Sequence, residues 1–310
     1  MKSKTAKKNK PRTREVAKHR SFKLSKQKLK QHAPIPGAIS LFKQTFLAIW
    51  SNKKLFFGIA VINALISFVF LQGLGSSFDI NELKTSFEEL FGESGNEIGT
   101  AAAIFGYLVG SAGSTPGEAS GSYQLSLTLV TSLAAIWAVR QVQAGEKPRL
   151  RDSFYKGMYP LIPFLLVLFV IALQLIPLLI GNLIYATVTQ NSLAASVAEQ
   201  VLTLLVFISL ALLSGYMLVS SLFAMYISTL PDMTPLKALR SARELVLHRR
   251  LAVSIRIVAL PIVGLVLAAI VFIPLIIVAA PLAQALFILA TSFSLVAAHV
   301  YMYLLYRSLI

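Results

Sequence analysis

The chain has 310 residues, 56% of them hydrophobic and only 14% charged, with a mean hydropathy of +0.71. Soluble domains carry roughly 25% charged residues, so a soluble core is excluded and lipid is the expected solvent. The net charge is +16 and there is no Cys, which excludes disulfides, thiolate metal sites and cysteine nucleophiles.

More than half of the Lys and Arg precede Leu55, and Glu15 is the sole acid there. Residues 1–36 are therefore read as a basic, disordered tail. Its first expected role is to fix topology and to attract anionic lipid headgroups, at about 1 kcal/mol per cation near the surface. Lys23, Lys26, Lys28 and Lys30 are the candidate contacts to a membrane surface or a protein partner. Nucleic acid is disfavoured, because the run from Arg20 to Lys30 has no stacking platform of interleaved aromatics. The first apolar run starts beyond residue 50 with no small-residue cleavage site behind it, and reads as an uncleaved signal anchor.

From residue 37 to 310 the pattern predicts an all-α integral membrane domain of about six transmembrane helices, with amphipathic helices on the cytoplasmic side. Ile39, Phe42, Phe46 and Ile49 line one side of the first amphipathic helix, which ends at Lys53 and Lys54. Apolar stretches long enough to span follow at Leu55 to Leu74, Tyr123 to Val139, Leu161 to Ile180, Val201 to Leu230, Leu251 to Ala280 and Leu282 to Leu305. The second carries the weakest signal. Between the first two, an outer loop over 75–122 holds Asp79, Glu82, Glu88, Glu89, Glu93, Glu97 and Glu118. Ile80, Leu83, Phe87, Leu90 and Phe91 there predict an amphipathic helix capped by Asp79 and Glu82. The segment from Ile98 to Val109 is too short to span, and either dips into the bilayer or packs on the bundle. Between the fourth and fifth spans, Thr234 and Pro235 predict a helix start, with Leu236, Leu239, Ala242 and Val246 on one face and Lys237, Arg240 and Glu244 on the other.

Cations set the orientation. Lys43, Lys53 and Lys54 precede the first span. Arg140, Lys147, Arg149, Arg151 and Lys156 lie between the second and third, and Lys237, Arg240, Arg243, Arg249 and Arg250 between the fourth and fifth. The alternate connections hold Lys84 alone. Both termini are therefore expected in the cytoplasm of a multi-pass cell-membrane protein, with Lys53, Lys54, Arg249 and Arg250 as further headgroup or partner contacts.

Trp50 to Leu55 resembles Val246 to Leu251, and Ser126-Leu127, Ser209-Leu210 and Ser294-Leu295 recur in the even-numbered spans, the last two followed by Tyr216-Met217 and Tyr301-Met302. These point to three parallel copies of helix, span, span. The odd-numbered spans align less well: Ile176-Pro177-Leu178 matches Ile273-Pro274-Leu275 at one offset, and Pro177 matches Pro261 at another.

Three segments run into spans: Gly37-Ala-Ile-Ser-Leu41 through Lys54-Leu55, Arg149-Leu-Arg-Asp-Ser-Phe154 and Thr234-Pro-Leu-Lys-Ala-Leu239. With them the chain resembles a group of bacterial six-span proteins of unassigned activity, similar to the membrane domain attached to some glycerophosphodiester phosphodiesterases. The resemblance covers about residues 37 to 310 and implies no catalytic residues; the phosphodiesterase domain is absent.

His299 is the one His well inside a span, and an intramembrane ionisable group is a functional candidate by default. Ser214, followed by Gly215, lies at similar depth, and such a Ser and His pair resembles that of rhomboid proteases. Leu212 stands where that family has a Gly, however, and His299 is followed by the bulky Val300-Tyr301-Met302-Tyr303. The alternative for His299 is a neutral imidazole bonded to a neighbouring helix. Arg140 and Arg256 are expected to snorkel from near the span ends. Asn63, Gln174, Pro163, Pro177, Pro261 and Pro274 either shape a polar path or supply interhelical bonds and kinks. No cofactor or metal is implied. The expected function is a non-enzymatic membrane-organising or partner-binding protein; the alternative is a small-solute or lipid transporter, and a remote third is an intramembrane serine hydrolase.

Overall fold

The computed structural model describes residues 35–73, 85, 97–111, 118–190, 196–231, 233–247 and 249–310. The basic tail, including Lys23, Lys26, Lys28 and Lys30, and the expected acidic helix of the outer loop lie outside them. Among the described residues every regular element is an α-helix: α1 Ala38–Ser51, α2 Lys53–Gly73, α3 Glu97–Ser111, α4 Glu118–Gln143, α5 Leu150–Gly157, α6 Leu161–Gln190, α7 Val197–Ser228, α8 Pro235–Val246, α9 Arg250–Val278 and α10 Ala280–Leu309.

Five helices, α4, α6, α7, α9 and α10, are long and apolar enough to cross a membrane, and α1 with α2, bent by 91° at Asn52, makes a sixth if the pair counts as one. α4, the second expected span, extends beyond Tyr123 and Val139 at both ends and is the least hydrophobic of the five. α6, α7, α9 and α10 run for 29 to 32 residues. At 1.5 Å per residue each exceeds a hydrocarbon core of about 30 Å, so their ends project or the helices tilt.

The starts and stops have local causes. Ser196 and Glu199 form a reciprocal capping box at α7, with Glu199 N donating to Ser196 Oγ at 3.3 Å and Ser196 N to Glu199 Oε2 at 3.2 Å. Pro235 occupies the first turn of α8, although the Thr234 side chain makes no capping bond. Pro177 interrupts α6, and Pro261 and Pro274 interrupt α9.

Each short helix packs on a long one. α5 lies on α4, α8 on α7 and α1 on α10, while α2 packs between α4 and α10, α6 pairs with α7, and α9 pairs with α10. Lipid supplies no hydrophobic drive between helices, so close approach of backbones carries the packing. Gly157 of α5 sits against Ala134 and Leu133, where an added Cβ would come within 3.1 Å of the Ala134 Cα. Gly181 of α6 meets Leu210 of α7 in the same manner, at 3.3 Å. α3 packs on α9, and Ala101, Ile104, Phe105 and Leu108 share a buried cluster with Phe272, Ile276 and Ala283, so the Ile98 to Val109 segment contacts the bundle.

Two amphipathic faces differ from their sequence patterns. On α1 the buried residues are Leu41, Thr45 and Ile49, whereas Ile39 and Phe46 are exposed. On α8 they are Ala238, Ala242 and Val246, whereas Leu236 is exposed. On α8 the small side chains face the neighbouring helix and permit closer approach, whereas on α1 Leu41 and Ile49 are buried beside Thr45.

Gly157→Ala should cost about 1–3 kcal/mol through overpacking against the α4 backbone, read as a lower midpoint of thermal unfolding in nanodiscs. Gly264→Ala, with nothing within 4 Å of the added Cβ, should show no loss.

Candidate functional site

The C-terminal ends of α4, α7 and α10 meet, and two arginines tie them. Arg140 Nη1 of α4 donates to the Thr229 carbonyl at the end of α7 at 2.7 Å, and Arg307 Nη1 of α10 donates to the Gln143 carbonyl and Oε1 at the end of α4 at 3.0 and 2.7 Å. The last carbonyls of a helix lack intrahelical partners and carry its negative pole. A guanidinium there both satisfies them and holds two helices together. Next to these latches, the ring of Tyr226 stacks on that of Tyr306 with centroids 6.4 Å apart, and Tyr303 packs on both.

Arg256 plays a third such role. Its Nε donates to the Pro36 carbonyl at 2.7 Å and its Nη2 to the Ile35 carbonyl at 2.9 Å, while Tyr301 Oη donates to the Arg256 carbonyl at 2.9 Å. Arg140 and Arg256 both lie near helix ends, and their guanidinium groups bond backbone carbonyls at that end of the bundle.

His299 is buried, and its Nδ1 shares a hydrogen bond with Tyr226 Oη at 3.0 Å. Ser214 is buried on the same helix as Tyr226, more than three turns away and about 18 Å along the axis. Its Oγ accepts the Leu178 backbone N–H at 3.1 Å, one residue past Pro177, where the helix is disturbed and a freed backbone donor needs a partner. The structure thus does not bring Ser214 and His299 together as a catalytic pair. Ser214 joins α7 to α6 beside Pro177, and His299 joins α10 to α7.

Asn63 likewise makes interhelical bonds. Its Nδ2 donates to Ser292 Oγ of α10 at 2.8 Å, and its Oδ1 accepts from Thr131 Oγ1 of α4 at 2.8 Å; all three residues are buried. Gln174 Oε1 is buried with no hydrogen-bond partner. Among the described residues no three His, Asp or Glu side chains are grouped to hold a metal ion.

The candidate surface contacts separate into two kinds. Lys53 and Lys54 are exposed at the start of α2, and Lys53 Nζ lies 5.4 Å from the Trp50 ring, which stacks on Phe46 at 5.8 Å. Arg249 and Arg250 are half-buried, and the Arg250 guanidinium lies 4.1 Å from the ring centroid of Tyr216 on α7. Arg250 is thereby engaged within the bundle. Lys43, Lys147, Arg149, Arg151, Lys156, Lys237, Arg240 and Arg243 are exposed around the same end, together with Tyr155 and Tyr159. The missed elements of this arrangement are the arginine latches and the capping box; only the second had a local signature, Ser196-Val-Ala-Glu199.

Arg140→Ala should cost about 1.5–3 kcal/mol, the range for a hydrogen bond to a charged group, and should loosen the end of α7, measured as faster amide exchange over 224–231. A serine-reactive fluorophosphonate should label neither the unmodified chain nor Ser214→Ala. Labelling that vanished with that substitution would restore the hydrolase.

Comparison with protein-family models, with curated proteins and with solved structures finds no match, so the functional reading rests on the residues themselves.

Proposed function

We propose that this chain is a six-span membrane protein, with the end that bears the arginine latches facing the cytoplasm, and that it organises anionic lipid at that face without catalysing a reaction. The observation that carries this reading is α1. The helix stands at 91° to α2, as a helix lying in the headgroup plane would. One of its faces is committed to the bundle, and Ile39, Phe46, Leu47 and Trp50 are exposed beside Lys43, Lys53 and Lys54. Apolar and aromatic side chains flanked by lysines are the composition of an interfacial helix, held by burial in the acyl boundary and attraction to anionic headgroups. The exposed cations around the same end extend the charged surface, in keeping with the retention of cationic loops on the cytoplasmic side. The tail adds a second basic segment to the same account.

The threefold repeat belongs to this proposal. The buried positions of the short helices are spaced by four, at Leu41, Thr45 and Ile49, at Ser153 and Gly157, and at Ala238, Ala242 and Val246. Four residues after the last of each, a long helix starts, at Lys53, Leu161 and Arg250. Three residues into each, Phe56, Phe164 and Val253 are fully buried. This register places Thr45 opposite Ser153 and Ala242, one residue from the alignment of Trp50 with Val246, and it uses neither proline match. In the even-numbered spans the serine alignment superposes Thr131, Ser214 and His299, and also Ala138, Ser221 and Tyr306, every one of them buried. Each short helix packs on the second long helix of the preceding copy, α1 closing onto α10.

Transport is the second reading, favoured by Pro177 and the unpartnered Gln174 Oε1 in α6. Solute or lipid movement in proteoliposomes tests it.

With Trp137 replaced by Phe, Trp50 is the sole Trp. In vesicles containing brominated anionic lipid its fluorescence should be strongly quenched by bromine and weakly by aqueous acrylamide; the reverse pattern would remove α1 from the interface. Deleting residues 1–32 should lower the anionic phospholipid that copurifies with the chain, measured by mass spectrometry against neutral lipid as internal reference.

A further inference from the structure

Ser67 lies one turn beyond Asn63 on the same face of α2. Only 3% of its surface is exposed, yet its Oγ has no hydrogen-bond partner. Other hydroxyls in the long helices turn back onto their own backbone: Thr128 onto the Gln124 carbonyl, Ser209 onto Leu205, Ser221 onto Met217 and Ser308 onto Leu305. This is the usual refuge of a hydroxyl within a helix. Ser67 does not take it, and in hydrocarbon an unmade hydroxyl bond is costly.

The groups beside it have bonding capacity left. An amide carries two N–H donors and two acceptor lone pairs, and a serine hydroxyl both donates and accepts. In the triad Asn63 uses one N–H, to Ser292, and one acceptor position, to Thr131. Gln124 and Thr128 lie seven and three residues before Thr131, on the same side of α4, and both are half-buried. The polar character of this seam therefore continues from Asn63 toward the end of the bundle occupied by α3. Among the described residues it contains no carboxylate and no cation, so its chemistry suits a small neutral hydrogen-bonding molecule rather than an ion. Packing does not require polar residues here. Under the repeat proposed above, the positions equivalent to Asn63 are Ile171 and Leu260, and those equivalent to Ser67 are Leu175 and Gly264.

We propose that a single water molecule is bound in the seam of α2, α4 and α10, bridging Ser67 Oγ to the Asn63–Ser292 pair. The bridge gives Ser67 its partner, makes two to four bonds as buried waters do, and couples α2 to α10 one turn farther along than the direct bond does.

A double-substitution cycle tests it, because the structure has no direct bond between Ser67 and Ser292. Ser67→Ala, Ser292→Ala and the doubly substituted chain are compared by thermal unfolding in nanodiscs. Ser67→Ala should lower the midpoint, and the double change should lower it by clearly less than the sum of the two single losses. An unchanged or raised midpoint for Ser67→Ala, as expected of an orphan hydroxyl, would overturn the proposal, and so would additive losses. Should Ser292→Ala not fold, infrared spectra in H2(18O) decide. The full chain should show an isotope-shifted O–H band of a strongly bound water that Ser67→Ala lacks, and a band retained by that variant would overturn the assignment.

Discussion

Within hydrocarbon a polar group must bond to other protein groups or to a buried water, and the placement of the principal polar side chains in the long helices follows from that constraint. Arg140 and Arg307 take the C-terminal carbonyls of neighbouring helices, and Arg256 takes the carbonyls of the segment leading into α1. Ser214 takes the backbone donor beside Pro177, and Asn63 joins Thr131 and Ser292. These bonds hold specific pairs of helices in register, a task that featureless apolar surfaces leave unspecified in lipid.

The same constraint separates structure from chemistry at the residues that first suggest catalysis. A serine nucleophile needs an aligned base and an oxyanion hole. The hydroxyl of Ser214 instead accepts the Leu178 backbone N–H beside Pro177, and His299 is bonded to Tyr226 rather than to a nucleophile. The short helices follow a comparable logic on their outer faces. α5 and α8 bury small residues against the long helix before each, while α1 buries Leu41, Thr45 and Ile49 against the bundle and exposes Ile39, Phe46 and Trp50 next to lysines. That division leaves bulky aromatics free for an interface with lipid and commits compact side chains to helix contacts.

Much of the helical order was legible because long apolar runs separated by charged loops have few solutions in a membrane. The six long segments, the short helices before Lys53, Leu161 and Arg250, and the start of α8 at Pro235 all follow from pattern alone. The helix faces were legible in part: Ile49, Ala242 and Val246 are buried as the period requires, whereas Phe46 and Leu236 satisfy the period yet are exposed, and Thr45 and Ala238 are buried. The latches were hidden for another reason. Arg140 lies close in space to Thr229, but the two are far apart in sequence, and no local spacing encodes their contact. The functions of Asn63 and Ser214 as interhelical struts were readable only as alternatives, because partner identity depends on which helices adjoin.

The functional account turns on which side of the membrane receives the latched, cation-rich end, and the natural absence of Cys allows a direct measurement. Single cysteines are placed at Ala144, exposed between α4 and α5, and at Gly99, exposed near the start of α3 at the other end of the bundle. Intact cells are then treated with a membrane-impermeant maleimide. Labelling at Gly99→Cys, with labelling at Ala144→Cys only after permeabilisation, is the result the account predicts. Labelling of Ala144→Cys in intact cells, with Gly99→Cys protected, would put the basic surface outside and contradict it.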